Sequence, residues 1–126
     1  MNTYDAAHAL AKALRESSDY KEFREAQLAL KADPSARKML LDFRLEQFNL
    51  QKQKLSGLEL APEQEEKLAK LFEIIGMNNI IKRFLQAEYR IAVILQDVHK
   101  IIGEAADEVF DPELLNLPVE ELDEKA

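Results

Sequence analysis

Two histidines and the acidic residues near them are the side chains in this sequence whose types and spacing could do chemistry. Asp5 and His8 lie three positions apart, about one helical turn, where both side chains could bind the same metal ion. A di-iron helical bundle needs several carboxylates and two Glu-x-x-His units on facing helices. The sequence has one Asp-x-x-His, and Gln96 stands three positions before His99. We therefore predict no metal site, and we interpret His8 as a surface residue near a helix start.

Glu88, Arg90 and His99 form the second candidate set. Glu88 and His99 each occupy a position where the helical spacing of the neighbouring apolar residues would place another apolar residue. An ionised group is costly to bury unless it is paired. They lie either at the edge of the buried face or against partners such as Arg44 or Arg90. We predict a buried polar arrangement of Glu88, Arg90 and His99 that fixes helix packing. A catalytic Glu–His dyad is the weaker hypothesis, because no nucleophile or glycine-rich loop accompanies it. We predict no catalytic and no cofactor-binding residue.

Composition narrows the class of protein. The chain has 126 residues, a length typical of one domain, and no cysteine, which excludes disulfides, a cysteine nucleophile and thiolate-held metals. The net charge is −7, and residues 111–126 hold six acids and one lysine, a net charge of −5. Without a basic excess we expect no direct nucleic-acid binding. The N-terminus lacks a signal-peptide core and no apolar run reaches membrane length, so we expect a cytoplasmic protein without a membrane anchor.

Capping residues, prolines and glycines divide the chain into helices. Apolar stripes predict helices over residues 3–17 and about 20–30, and Asp33-Pro34 predicts a helix start that leads to about Leu55. A fourth helix should begin at Pro62 and end at Gly76. Its predicted buried face consists of Leu68, Leu71, Phe72 and Ile75.

The last helix is predicted from Asn79 to Glu108, with Gly103 as a candidate early end. One apolar stripe repeats at alternating spacings of four and three, a 3.5-residue period that a strand cannot produce. This stripe contains Ile80, Phe84, Ala87, Ile91, Ile94, Val98, Ile101 and Ala105. A second stripe beside it contains Ile81, Leu85, Ala92, Leu95, Ile102, Ala106 and Val109.

These elements predict an all-α fold, a bundle of about five helices with one long C-terminal helix that forms a homodimer. Residues 1–110 form the predicted single domain, and residues 111–126 a flexible acidic tail or a short docking segment. The long helix has more apolar surface than four shorter helices readily cover, and large exposed apolar patches promote association. The self-association candidates are Ile80, Phe84, Ala87, Ile91, Ile94, Leu95, Val98, Ile101 and Ile102.

The end of the third helix and the turn after it form a candidate docking tip. The candidate residues are Gln51, Lys54, Gly57 and Glu59. They carry no chemistry of their own, and the alternative interpretation is an ordinary polar helix end with its turn.

Five segments in this order resemble the YlbF/YmcA family of small bacterial helical proteins, and within it most closely the YheA-type branch. They are YDAAHALAKALRESSDY at 4–20, LKAD at 30–33, the helix from Phe43 to Gln51, KLSGLEL at 54–60 and AEYRIAVILQDVHKII at 87–102. The resemblance covers about residues 3–110, and its motifs are helix patterns and caps.

The resemblance implies an all-α bundle that forms dimers or higher oligomers and has no enzymatic activity. YlbF and YmcA are adaptors that act with a third protein, YaaT, in a complex linked to competence, sporulation, biofilm formation and RNase Y-dependent RNA maturation. That complex carries iron–sulfur clusters held by cysteines, and this sequence has none, so cysteine-held cluster binding is excluded here.

The resulting hypothesis is a non-enzymatic adaptor of the bacterial cytoplasm that binds other copies of itself and other bacterial regulatory proteins. One alternative is an accessory protein of RNA metabolism that reaches RNA or an RNase complex through a partner. Another is an unrecognised small helical enzyme that uses Glu88, Arg90 and His99.

Overall fold

The structure is a computed structural model that describes residues 1–116. Nearly all of these residues are helical. The helices are α1 (Thr3–Glu16), α2 (Ser18–Lys31), α3 (Pro34–Leu55), α4 (Pro62–Gly76), α5 (Asn79–Asp107) and α6 (Pro112–Asn116). Between residues 1 and 116 there is no strand. The predicted all-α class and the long C-terminal helix are therefore confirmed. The chain divides into two compact units, Met1–Ile91 and Ala92–Ala126.

Polar side chains cap the helices where the sequence predicts helix starts. Each accepts a hydrogen bond from one or two backbone N–H groups of the first turn, at 2.8–3.2 Å, which satisfies amides that have no partner inside the helix. The capping residues are Asn2, Ser17, Asp33 and Asn78. Pro34 and Pro62 begin α3 and α4, where a missing N–H costs nothing.

Two glycines lie near the C-terminal ends of α3 and α5, and they affect the two helices differently. Gly57 follows α3 at φ +82°, a left-handed conformation that glycine adopts without strain. Gly103 does not end α5, which continues to Asp107. The cost of an interior glycine, about 1 kcal/mol relative to alanine, is too small to break a long helix by itself.

The core lies in the unit Met1–Ile91. It is built from α2, α3, α4 and the first part of α5, and α1 contributes no buried residue. Its members are Ala26, Leu30, Ala36, Leu40, Phe43, Ile75, Ile81, Phe84 and Ala87. The Phe23 and Phe84 rings stack with their centroids 5.4 Å apart, which joins α2 to α5.

One residue of the predicted buried face of α4 is exposed instead. Ile75 is fully buried and Leu68 and Leu71 are half-buried, but Phe72 is 62% exposed. Its ring touches that of Phe43, with a centroid distance of 5.9 Å, and leaves the rest of its surface open. The prediction failed because spacing along α4 shows which residues share a side of the helix but not how far the neighbouring helices extend over it.

From Ala92 to Leu114, no residue is buried. Part of the predicted tail forms the short helix α6, which is preceded by Asp111 accepting a hydrogen bond from the Glu113 N–H at 2.9 Å. The remaining tail residues, 117–126, lie outside the described residues.

Candidate protein-interaction surface

The self-association candidates of the first unit are used largely inside the chain. Phe84 and Ala87 are buried core residues, Ile80 is half-buried against the core, and Ile91 is half-buried. A side chain already removed from water gains little from a second burial. These four positions therefore offer less surface to a partner than the stripe pattern predicts.

The candidates of the second unit remain accessible, and we call them the distal α5 stripe. Its members are Ile94, Leu95, Val98, Ile101 and Ile102. Ile101 and Ile102 are 67% and 58% exposed, and Leu95 is also exposed, whereas Ile94 and Val98 are half-buried. Exposed apolar side chains grouped on one helix mark an interaction site more often than singly scattered ones do.

A second exposed stripe runs along α3, and we call it the α3 stripe. Leu41, Leu45, Phe48 and Leu55 recur at helical spacing, and each is at least half exposed. The opposite side of α3, which includes Leu40 and Phe43, forms the core. The sequence shows that α3 is apolar on two sides, and the structure shows which of the two sides is open.

A groove lies between α4 and α5 in the first unit, with a volume of about 580 Å³. We call it the α4–α5 groove. Its lining residues are Phe72, Ile75, Gly76, Lys82, Leu85, Gln86, Tyr89 and Arg90. Sequence analysis missed this site. The sequence signal that could have revealed it is the spacing of Lys82, Leu85, Gln86 and Tyr89. This spacing places two polar and two apolar residues in alternation on a single side of α5.

The docking-tip candidates are all exposed, and three of them come together. Lys54, Gly57 and Glu59 line one shallow cleft with Leu58, Leu60 and Glu65, whereas Gln51 does not line it.

The turn that carries this tip is held by two side-chain amides. Gln64 Nε2 donates to Gln53 Oε1 at 3.0 Å, and Gln53 Nε2 donates to Gln64 Oε1 at 3.2 Å and to the Glu59 carbonyl at 3.1 Å. The Ala61 N–H also donates to Gln64 Oε1, at 2.9 Å. The pair thus joins the end of α3 to the start of α4.

The predicted buried polar arrangement is not formed. Glu88 is half-buried, and Arg90 and His99 are exposed; across residues 1–114 no polar or charged residue is buried. Glu88 forms an ion pair with Arg44 of α3, one of its two predicted partners, and the Arg44 guanidinium lies 5.6 Å from the centre of the Phe84 ring. The edge position keeps both charges in contact with water, which avoids the cost of burying them.

Arg83 joins α5 to α2 through two carboxylates. It forms an ion pair with Glu22, and its Nη2 lies 3.5 Å from Glu25 Oε2. The hydrogen bond from Arg83 holds the pKa of Glu22 below its ordinary value, against an opposing desolvation effect, and the charges of Arg83 and Arg90 lower it further. The same hydrogen bond raises the pKa of Arg83.

Neither metal-binding nor membrane-spanning features emerge from the described part of the chain. Residues 1–116 contain no group of three or more His, Cys, Asp or Glu side chains placed to hold a metal ion. Over the same range, no helix combines the length and hydropathy that a bilayer span requires.

Comparison with known proteins gives concordant results. The family described as "Control of competence regulator ComK, YlbF/YmcA" matches residues 3–106. A UPF0342 protein of Symbiobacterium thermophilum is 45% identical over 104 residues, which are 82% of this chain and 93% of the relative. A UPF0342 protein of Desulfitobacterium hafniense is 36% identical over 110 residues, 87% of this chain and 89% of the relative.

Two solved structures share the fold at low sequence identity. A protein of unknown function (DUF964) from Bacillus stearothermophilus has a TM-score of 0.71 at 21% identity, covering 84% of this chain and 93% of that one. A chain from the crystal structure of Bacillus subtilis RicA in complex with RicF has a TM-score of 0.60 at 22% identity, covering 83% and 93%.

Proposed function

The chain belongs to the YlbF/YmcA family, and from this premise we propose that it is a non-enzymatic helical adaptor of the bacterial cytoplasm. It acts by binding other regulatory proteins and further copies of itself. The observation that carries the proposal is the amount of apolar side chain left open on two helices, in the α3 stripe and the distal α5 stripe.

The apolar stripes support binding because each repeats at helical spacing along one helix. An apolar side chain that moves from water into an interface contributes about 1.5–3 kcal/mol when fully buried. Three or four such residues on one stripe together offset part of the cost of association. The fold is also one that serves protein assembly elsewhere, since RicA is found in complex with RicF.

The placement of the polar candidates supports a non-enzymatic role. Glu88 forms an ion pair with Arg44, and Arg90 and His99 are exposed to solvent rather than enclosed in a pocket. An acid–base site needs titratable groups converging on a shielded pocket where a substrate is held. The α4–α5 groove has an apolar floor and two cations, which suits binding better than proton transfer.

Self-association is tested by sedimentation equilibrium of the purified chain at micromolar concentration. We expect a mass of at least twice the 14.5 kDa of one chain. Replacing Ile101 by aspartate should weaken association at least about tenfold, because a charge replaces an apolar contact. The matched control is Gln96→Asp, an exposed position of α5 outside both stripes, which should leave the mass unchanged. A strictly monomeric wild-type chain would contradict the proposed self-association.

Binding of other proteins is tested by affinity purification from the native bacterium, followed by mass spectrometry. Phe48→Ser removes the largest exposed side chain of the α3 stripe, and Gln47→Ser changes an exposed neighbour on the same helix. We expect the wild type and Gln47→Ser to retain the same partner and Phe48→Ser to lose it. If all three chains retain the same proteins equally, the α3 stripe is not the contact.

A further inference from the structure

The α4–α5 groove combines an apolar floor with two positive charges at its rim. Phe72 and Tyr89 supply exposed aromatic surface, and the half-buried Leu85 adds apolar surface between them. Phe72 is 62% exposed and Tyr89 70%, values that are high for aromatic side chains with a packing role only. The groove is therefore suited to a ligand with several bulky apolar side chains.

The charges of the groove are of one sign. Lys82 and Arg90 lie eight positions apart on α5, roughly 12 Å along the helix axis. Neither forms an ion pair within residues 1–116, and no acidic residue lines the groove. The occupant should therefore carry acids on both sides of its apolar residues.

Residues 111–126 of this chain have that composition. Asp111 and Glu113 precede a leucine-rich stretch, and four further acids follow it. The leucines of the segment are Leu114, Leu115, Leu117 and Leu122. Leu114 is 66% exposed, so at least one of them has an open apolar surface in the structure. The segment carries a net charge of −5 in a chain of net charge −7.

We propose that the α4–α5 groove binds the acidic, leucine-bearing segment 111–126 of a second copy of this chain. The leucines pack on Phe72, Leu85 and Tyr89, and the flanking carboxylates face Lys82 and Arg90. The inference rests on the proposed self-association and adds a second, specific contact between copies, in addition to the distal α5 stripe. Charge complementarity of this kind sets the partner and the register more than it sets raw affinity.

Charge reversal in two separate chains tests the contact. The groove-reversed variant is Lys82→Glu with Arg90→Glu, and the segment-reversed variant is Glu113→Lys with Glu120→Lys and Glu121→Lys. The groove-reversed variant has like charges on both sides of the contact, and the segment-reversed variant changes the net charge of residues 111–126 from −5 to +1. Association of each variant alone should therefore weaken by roughly tenfold or more. In an equimolar mixture each groove meets a segment of opposite charge, and association should recover to within about threefold of the wild type.

Energy transfer between copies reports the contact directly. The natural chain has no cysteine, so Glu73→Cys on α4 and Ala126→Cys at the C-terminus each give a single labelling site. Donor-labelled and acceptor-labelled chains are mixed with and without the charge reversals, and the sedimentation mass is measured on the same samples. Lys21→Glu with Arg24→Glu is the matched control, since both are exposed residues of α2 outside the groove.

An uncharged pair of variants tests the shape of the groove. A Cβ placed on Gly76 meets no other atom within 4 Å, so a larger side chain can enter the groove without displacing the core. Gly76→Leu should reduce transfer between copies at least about fivefold, because it occupies space that the leucines need. Gly76→Ala has the same backbone change and leaves the groove open, so it should retain transfer.

The outcomes separate this inference from the proposed function. If the wild type sediments as an oligomer but neither the charge reversals nor Gly76→Leu alters transfer, the segment does not occupy the groove, and self-association stands. If transfer recovers only when all five reversals are in one chain, and not in the mixture, the second-copy occupant is refuted. A groove variant that loses a different protein while keeping transfer between copies also overturns the inference. A monomeric wild type overturns both proposals.

Discussion

Ile81 and Ile102 give the sharpest test of which part of α5 is internal. Both belong to the second apolar stripe of the sequence, but Ile81 is fully buried in the core and Ile102 is 58% exposed. Replacement by valine removes one methylene group at each site and changes helix propensity equally. For Ile81 we expect a loss of about 0.5–1.5 kcal/mol in the free energy of unfolding.

The expected value for Ile102 is smaller in a single chain. A fully buried methylene contributes about 0.8 kcal/mol, and only the covered two-fifths of this side chain counts, which leaves roughly 0.3 kcal/mol. If copies associate through the distal α5 stripe, the cost of Ile102→Val should increase with protein concentration, since association stabilises only the folded state. The cost of Ile81→Val should stay constant.

Urea unfolding followed by circular dichroism measures both quantities at protein concentrations that differ by about a hundredfold. The slope of the unfolding free energy against urea should be the same for the two variants and the wild type, because the exposed area hardly changes. Equal costs for the two variants at the lowest concentration would refute the assignment of inside and outside along α5.

Three further predictions concern the contacts that hold the helices. The lowered pKa of Glu22 stabilises the folded chain above the pKa of an unfolded glutamate, about 4.3, and this contribution is lost as the pH falls through the lower folded value. The stability difference between wild type and Glu22→Gln should therefore be constant near neutral pH and disappear in acid, as pH-dependent unfolding would show; a difference that grows in acid would contradict the role of Arg83. Gln64→Ala should cost about 1 kcal/mol by removing the amide pair with Gln53, and a double-mutant cycle should show that the two losses do not add. Asp33→Ala should cost about 1 kcal/mol through loss of the α3 cap, whereas Asp33→Asn should be nearly neutral in thermal unfolding, since asparagine caps equally well.

Features that depend on neighbours in the sequence were predictable. The start of α3 at Asp33-Pro34 and its end before Gly57 follow from hydrogen bonds and backbone angles within a few residues. The helical nature of α5 follows from the period of its apolar residues. The ion pair of Glu88 with Arg44 was one of two partners that the sequence left open, because the choice depends on which helix lies beside α5.

The candidate site was predictable only in part. The distal α5 stripe was recognised from its spacing, but Phe84 and Ala87, which were predicted to self-associate by the same spacing, are core residues. Phe72 was assigned to the buried face of α4, and it instead lines the α4–α5 groove. In each case the residue type was correctly identified as apolar, and the error concerned which helix covers it.

The sequence by itself determined helices α1 to α5, their approximate boundaries and the sides that are apolar, because caps, turns and hydrophobic period are local properties of the chain. The tertiary structure alone decided which apolar sides face inward. Burial depends on the position of helices that are distant in sequence, and no spacing within one helix specifies that position. The exposed α3 stripe, the distal α5 stripe and the α4–α5 groove are therefore products of packing, and they carry the proposed interactions.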